Sequence, residues 1–157
     1  NNTICISGDG GLQMNIQELQ TIVHYNLPIK LFVLNNKGYL TIKATQQNHF
    51  GRFVGAEESS GVTCPDIIKV ATAYGLPTAT IVNTEELNMK IDSILQTSGP
   101  IVCEIIMSEN QPLIPRVSSL KKPDGTIISK PIEDLYPFLS REEFFENMIV
   151  DPTEILK

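Results

Sequence analysis

The chain has 157 residues, 41% of them hydrophobic, with a formal net charge of −6 and a pI near 4.9. That length supports a globular domain with a real core, and the acidic balance argues against nucleic acid, whose phosphates call for clustered Lys and Arg. No apolar run approaches the roughly 18 residues of a membrane helix, and no charged-then-apolar leader precedes the first strand, so a soluble, cytoplasmic chain with no membrane partner is expected.

In chain order, the run TICIS (Thr3 to Ser7) is short, apolar and β-branched, which predicts a strand buried on both faces. Leu12, Ile16, Leu19 and Val23 follow at helical spacing and predict one helix, ended by Asn26, Leu27 and Pro28. The run IKLFVLNN (Ile29 to Asn36) predicts a second buried strand that stops at two asparagines. A helix is expected from Pro65, where a missing N–H costs nothing, to the residue before Gly75. Strand PTATIV comes next, then a helix with Thr84 as N-cap, Glu85 and Glu86 in its first turn, and Leu87, Ile91, Ile94 and Leu95 facing inward. Gly99-Pro100 ends it, and IVCEII predicts a fourth strand. Strands alternating with helices imply an α/β fold, three-layered around a mostly parallel sheet.

Two segments break the rhythm. Residues 37–63, with Gly38, Gly51, Gly55 and Gly61 and little periodicity, read as a long loop. The tail from Gln111 is rich in proline; Lys122-Pro123-Asp124-Gly125-Thr126 predicts a turn, and Ser140 followed by Glu143 a capping box before a last helix. The tail is expected to pack over the domain. Cys5, Cys64 and Cys103 are odd in number and lack metal-ligand spacing, so buried free thiols in a reducing compartment are expected. The chain opens at Asn1-Asn2 on a strand-like run without an initiator Met, and reads as a fragment.

The stretch Gly8-Asp9-Gly10-Gly11 sits where the first strand ends and a helix begins, and Asn35-Asn36 sits at the end of the second strand. Ligands of open parallel sheets bind outside the carboxyl ends of strands. Glycines there let a backbone approach an anion, and the N–H groups of the first helical turn can bind phosphate oxygens. Asp9 would repel a phosphate unless a cation lay between them, and Mg²⁺ combines one or two carboxylates with phosphate oxygens and water. An amide oxygen of Asn36 or Asn35 would be a suitable neutral ligand. A dinucleotide fingerprint fails at Gln13 and at the missing acidic end of the second strand, and a P-loop fails for want of Gly-Lys-Ser/Thr.

Gly8-Asp9-Gly10 and Asn35-Asn36, separated by residues 11–34, resemble the signature of thiamine diphosphate-dependent enzymes. GDGGLQMNIQEL and LFVLNNKGY resemble the pyruvate decarboxylase and acetolactate synthase superfamily, and PRVSSLKKPDGTIISKPIEDLYPFLSREEF is similar to the C-terminal segment of acetolactate synthase large subunits. The resemblance implies a partial thiamine-diphosphate-binding fold, with residues 1–110 forming an N-terminally incomplete pyrophosphate-binding domain and 111–157 a tail with a short helix. It implies Mg²⁺ ligation by Asp9, Asn36 and the Gly38 carbonyl, and cofactor contacts from Gly8, Gly10, Gly11, Asn35 and Tyr39.

Further implications are a 2-oxo acid substrate, a homo-oligomer (dimer or tetramer) with its site at the dimer interface, and an activating glutamate in a domain outside this chain. No catalytic residue is then expected here, and the fragment alone should be inactive. FAD would belong to a middle domain that is also outside. The glutamate that some decarboxylases carry after the NN-x-G-Y stretch is replaced by Ile42, which resembles the synthases. Alternatives left open are another thiamine diphosphate-dependent decarboxylase or lyase, and a non-catalytic binding module that keeps the fold. Elsewhere, His24 suits a helix C-terminus, His49 is a candidate for the substrate pocket, and Arg52 reads as a surface ion pair. Glu57-Glu58 reads as a solvated pair, and Lys121-Lys122 as turn chemistry.

Overall fold

In a computed structural model, which describes residues 3–150, the apolar runs form strands β1 (Thr3–Gly8), β2 (Ile29–Asn35), β3 (Thr78–Ile81) and β4 (Ile101–Ile106). All three pairings are parallel, and the strand order is β1-β2-β4-β3. Alternation along the two central strands decides the layers. Leu31, Val33 and Val102 pack with Leu19, Ile67 and Ala71, whereas Phe32, Ile101 and Cys103 pack with Ile81 and Ile94. Helices α2 (Glu18–His24) and α4 (Ile67–Ala73) supply the partners on one face; α5 (Thr84–Gln96) supplies Ile94 on the other, where Ile81 comes from β3. The sheet is thus the middle layer of three, and each fully buried Leu, Val or Phe contributes about 1.5–3 kcal/mol.

One buried residue of β2 is charged. Lys30 is fully enclosed, and its ammonium donates to the carbonyls of Thr97 and, at 2.5 Å, Gly99. These carbonyls follow the C-terminus of α5, where unpaired oxygens concentrate negative partial charge.

Several expectations change. The first predicted helix is two, α1 (Asp9–Gln13) and α2, joined by a tighter stretch in which Asn15, Glu18 and Leu19 each donate to the carbonyl three residues back. The apolar spacing survives because a tight turn keeps Leu12, Ile16 and Leu19 on one side. β1 is not buried on both faces: it is an edge strand, with Ile4 56% and Ile6 67% exposed. An apolar run announces a strand but not how many neighbours cover it. Cys5 is correspondingly exposed, Cys64 half-buried and Cys103 buried, all as free thiols. Burial pushes the Cys103 thiol up to about 11.

Residues 37–63 are not one loop. They contain α3 (Leu40–Phe50), which ends at Gly51 in the left-handed conformation and has no buried residue, and a 3-10 turn at Glu58–Ser60. Periodicity shows only where a face is buried, and α3 buries none. Two helix starts also shift: α4 begins at Ile67 rather than Pro65, with Asp66 as its cap accepting from Lys69 N–H at 2.9 Å, and Asn83, not Thr84, caps α5 by accepting from Glu86 N–H at 2.8 Å. Helix α4 does stop ahead of Gly75, whose φ is +79°.

The chain divides into two units, residues 1–111 and 112–157. In the second, β5 (Ser119–Lys121) pairs antiparallel with β6 (Ile127–Ser129) across the predicted turn, where Gly125 N–H donates to the Lys122 carbonyl at 2.9 Å and Asp124 accepts from Thr126 N–H at 2.9 Å. Helix α6 (Arg141–Glu146) starts as predicted, with Ser140 accepting from Glu143 N–H at 3.2 Å. This unit is organised around Asp134, buried and held by Lys130 at 2.5 Å and by both terminal nitrogens of Arg141 at 2.8 and 3.0 Å.

The Arg141 guanidinium, with Lys130 beside it, holds the Asp134 carboxyl below its usual range. Because the folded value is depressed, this contribution is fully present above the unfolded carboxylate range and is lost as pH falls through the folded value. Asp134→Asn should lower the stability of this unit by about 3 kcal/mol, the low end for breaking a buried pair because Arg141 stays partly hydrated. Faster amide exchange at Tyr136, whose N–H donates to the Arg116 carbonyl at 2.8 Å, is the measurement.

Candidate functional site

β1 and β2 lie side by side in register, with Gly8 opposite Leu34, so the two polar motifs leave the sheet at the same edge. Asp9 opens α1 immediately after β1 and is 2% exposed. One carboxylate oxygen accepts from Gly10 N–H and the other from Gly38 N–H, each at 2.9 Å. Among the described residues, no lysine or arginine pairs with it. Asp9 therefore ties the end of β1 to the segment after β2 through backbone N–H groups.

The two glycines at this junction are fixed by close approach. A Cβ on Gly38 would sit 2.4 Å from the Ala56 carbonyl oxygen, and one on Gly10 2.5 Å from the Tyr39 ring. Gly38 faces Glu57 in an antiparallel bridge, and Tyr39 N–H donates to Ala56 O at 2.9 Å. A Cβ on Gly11 would meet Ser7 Oγ at 3.1 Å, whereas Gly8 has open space beside it.

The two asparagines do different things. Asn35 donates to the buried Glu104 carboxylate at 2.6 Å and accepts from Lys37 N–H at 3.0 Å, which holds the turn in which Lys37 has φ +63°. Asn36 is half-buried and lines a cavity of about 320 Å³ with Gly38, Tyr39, Lys43 and Glu57. The structure thus brings Asp9, Gly10, Gly38 and Tyr39 together directly and places Asn36 two residues from Gly38, with Asn35 turned to Glu104.

A divalent cation suits this donor set. Among the described residues no three His, Cys, Asp or Glu side chains gather, so a cation here would take one carboxylate, neutral amide or carbonyl oxygens, and oxygens from a ligand or water. That is the set Mg²⁺ prefers. Burial, reinforced by the nearby Asp9 charge and a hydrogen bond to it, raises the Cys64 pKa.

Sequence reasoning missed Glu104, Lys43 and Glu57. Glu104 had a signal, a lone carboxylate inside IVCEII near a strand's carboxyl end. Glu57 is not a solvated acid: Lys43 pairs with it and holds its carboxyl below the usual range. Arg52 is exposed and makes no ion pair among the described residues. His24 ends α2 edge-on to Tyr25 at 4.6 Å, and His49 lies in the last turn of α3, 6.2 Å from Phe50.

Residues 1–105 match the family described as Thiamine pyrophosphate enzyme, C-terminal TPP binding domain. The chain belongs to that family. Thiamine pyrophosphate and thiamine diphosphate are one compound. The chain is 35% identical over 130 residues to the acetolactate synthase large subunit of Pyropia yezoensis, covering 82% of this chain and 22% of that protein. For the Cyanidium caldarium large subunit the figures are 33% over 116 residues, 73% and 20%. For the chloroplastic acetolactate synthase 1 of Zea mays they are 31% over 120 residues, 73% and 19%. The chain therefore spans about a fifth of the length of these curated relatives. An X-ray structure from Mycobacterium smegmatis, assigned as a thiamin diphosphate-dependent enzyme, superposes with a TM-score of 0.54 at 27% identity, over 69% of this chain and 18% of that one. Among the described residues no helix is long and apolar enough to cross a membrane.

Gly38→Ala forces the Ala56 carbonyl away, and an overpacked site of this kind costs about 1–3 kcal/mol. Loss of amide protection at Tyr39 is the expected readout; unchanged protection would mean that the bridge to Glu57 tolerates a methyl group.

Proposed function

We propose that this chain anchors the diphosphate end of thiamine diphosphate through Mg²⁺ in an acetolactate synthase-like enzyme that decarboxylates a 2-oxo acid and transfers the resulting acyl group. The observation that carries the reading is Asp9: a carboxylate 2% exposed, oriented by two backbone N–H groups and left without a cationic side chain among the described residues. Burying such a charge is costly unless it is compensated, and a bound cation would complete the compensation.

Asp9, Asn36 and the Gly38 carbonyl would hold the metal. Gly11 and the start of α1 would face the diphosphate; Gly10 N–H already serves Asp9, so its part is to orient that carboxylate. Gly8, with open space beside it, admits the ligand's approach, and Tyr39, closed over Gly10, bounds the site. Asn35 acts one step back, through Lys37 and Glu104. When bound, thiamine diphosphate supplies the carbanion-stabilising chemistry itself.

Ile42, 41% exposed on α3, favours a synthase over a simple decarboxylase, since it puts no proton-transfer group where some decarboxylases carry a glutamate. The reading also includes a homo-oligomer whose partner subunit completes the site, and an activating glutamate supplied from outside these residues.

In the full-length protein, Asp9→Ala should abolish Mg²⁺-dependent thiamine diphosphate binding in calorimetric titrations; full retention would sink the assignment. The 157-residue chain alone should show no consumption of a 2-oxo acid, and detectable acetolactate formation by it would contradict the proposed division of labour.

A further inference from the structure

Helix α3 buries nothing, yet one of its side chains is heavily engaged. The Lys43 ammonium pairs with Glu57, lies 3.1 Å from Asn110 Oδ1 and 3.4 Å from the Glu109 carbonyl, and sits 5.7 Å from the Phe53 ring centroid. Both members of the pair are largely enclosed, with side-chain exposures of 16% and 23%. Their attraction is therefore less screened than that of an ordinary surface pair.

Glu57 is in turn the residue bridged to Gly38. Its conformation is fixed by a reciprocal cap: Ser60 Oγ accepts from Ala56 N–H at 3.0 Å and Glu57 N–H at 2.9 Å, while Ser59 Oγ donates to the Glu57 carboxylate at 2.8 Å. A continuous chain of contacts thus runs from Lys43 through Glu57 to Gly38 and on to Asp9.

We propose that Lys43 and Glu57 are positioning residues for the cation site, clamping the 56–57 segment so that Gly38 is fixed in place. The proposal rests on the reading of Asp9, Asn36 and Gly38 as the metal's holders. The pair holds the 56–57 segment against Gly38, whose lack of a Cβ allows that approach. Groups that orient a metal's ligands from one step back typically change affinity by about 10–100-fold when removed.

The test uses the full-length protein and Mg²⁺ titrations at fixed thiamine diphosphate, with amide exchange at Tyr39 in the metal-free protein as a readout independent of catalysis. Lys43→Met and Glu57→Gln should each raise the half-saturating Mg²⁺ concentration by about 10–100-fold and speed Tyr39 exchange. The double variant should be no worse than the worse single, because one pair can be broken only once. The exchanged pair, Lys43→Glu with Glu57→Lys, should recover part of the loss. A lower melting temperature with unchanged Mg²⁺ dependence, or strictly additive effects, would overturn the proposal. Asp9→Ala separates the two readings: if it abolishes Mg²⁺-dependent binding while Glu57→Gln leaves it unmoved, the positioning role alone fails, and if Asp9→Ala changes nothing, both fail.

Discussion

A carboxylate taken out of water must be compensated, and that constraint organises the upper edge of this sheet. Asp9 meets it with backbone N–H groups drawn from two places, Gly10 in its own helix and Gly38 after the neighbouring strand. The bond to Gly38 is possible only because β1 and β2 run parallel and end level, Gly8 opposite Leu34. It in turn sets where Tyr39 and the Ala56-Glu57 segment can lie. Remove the carboxylate, and the segment following β2 loses its hydrogen bond to the start of α1, leaving the Tyr39 ring against Gly10.

What could be read from letters follows from what burial imprints on them. The runs IKLFVLN and IVCEII are central strands covered on both faces, and their near-continuous apolar character says so. Helix α5 buries one stripe, so Leu87, Ile91, Ile94 and Leu95 recur at helical spacing. Helix α3 buries none, and LTIKATQQNHF accordingly carries no stripe to find. β1 shows the reverse error, because an apolar strand looks the same whether or not anything covers it.

The site was legible in a similar, partial way. Gly8-Asp9-Gly10 and Asn35-Asn36 stand out because a carboxylate and amides at strand ends have no role in a core. That they should meet at one edge follows from parallel topology. The division of labour between the asparagines was hidden, since Asn35 turns towards Glu104, a residue remote in sequence. Lys43 and Glu57 were hidden more deeply: a lysine on a polar helix and a glutamate beside another glutamate look like solvated surface until the fold sets one against the other.

The edge strand has a practical side. Among the described residues no strand pairs with the outer edge of β1, and Ile4 and Ile6 lie bare on it. Such an edge is a template for another strand from any chain that reaches it. For the 157-residue chain handled by itself, that edge is where self-association would compete with folding as concentration rises. Concentration would then join temperature and denaturant among the variables that set its state in solution.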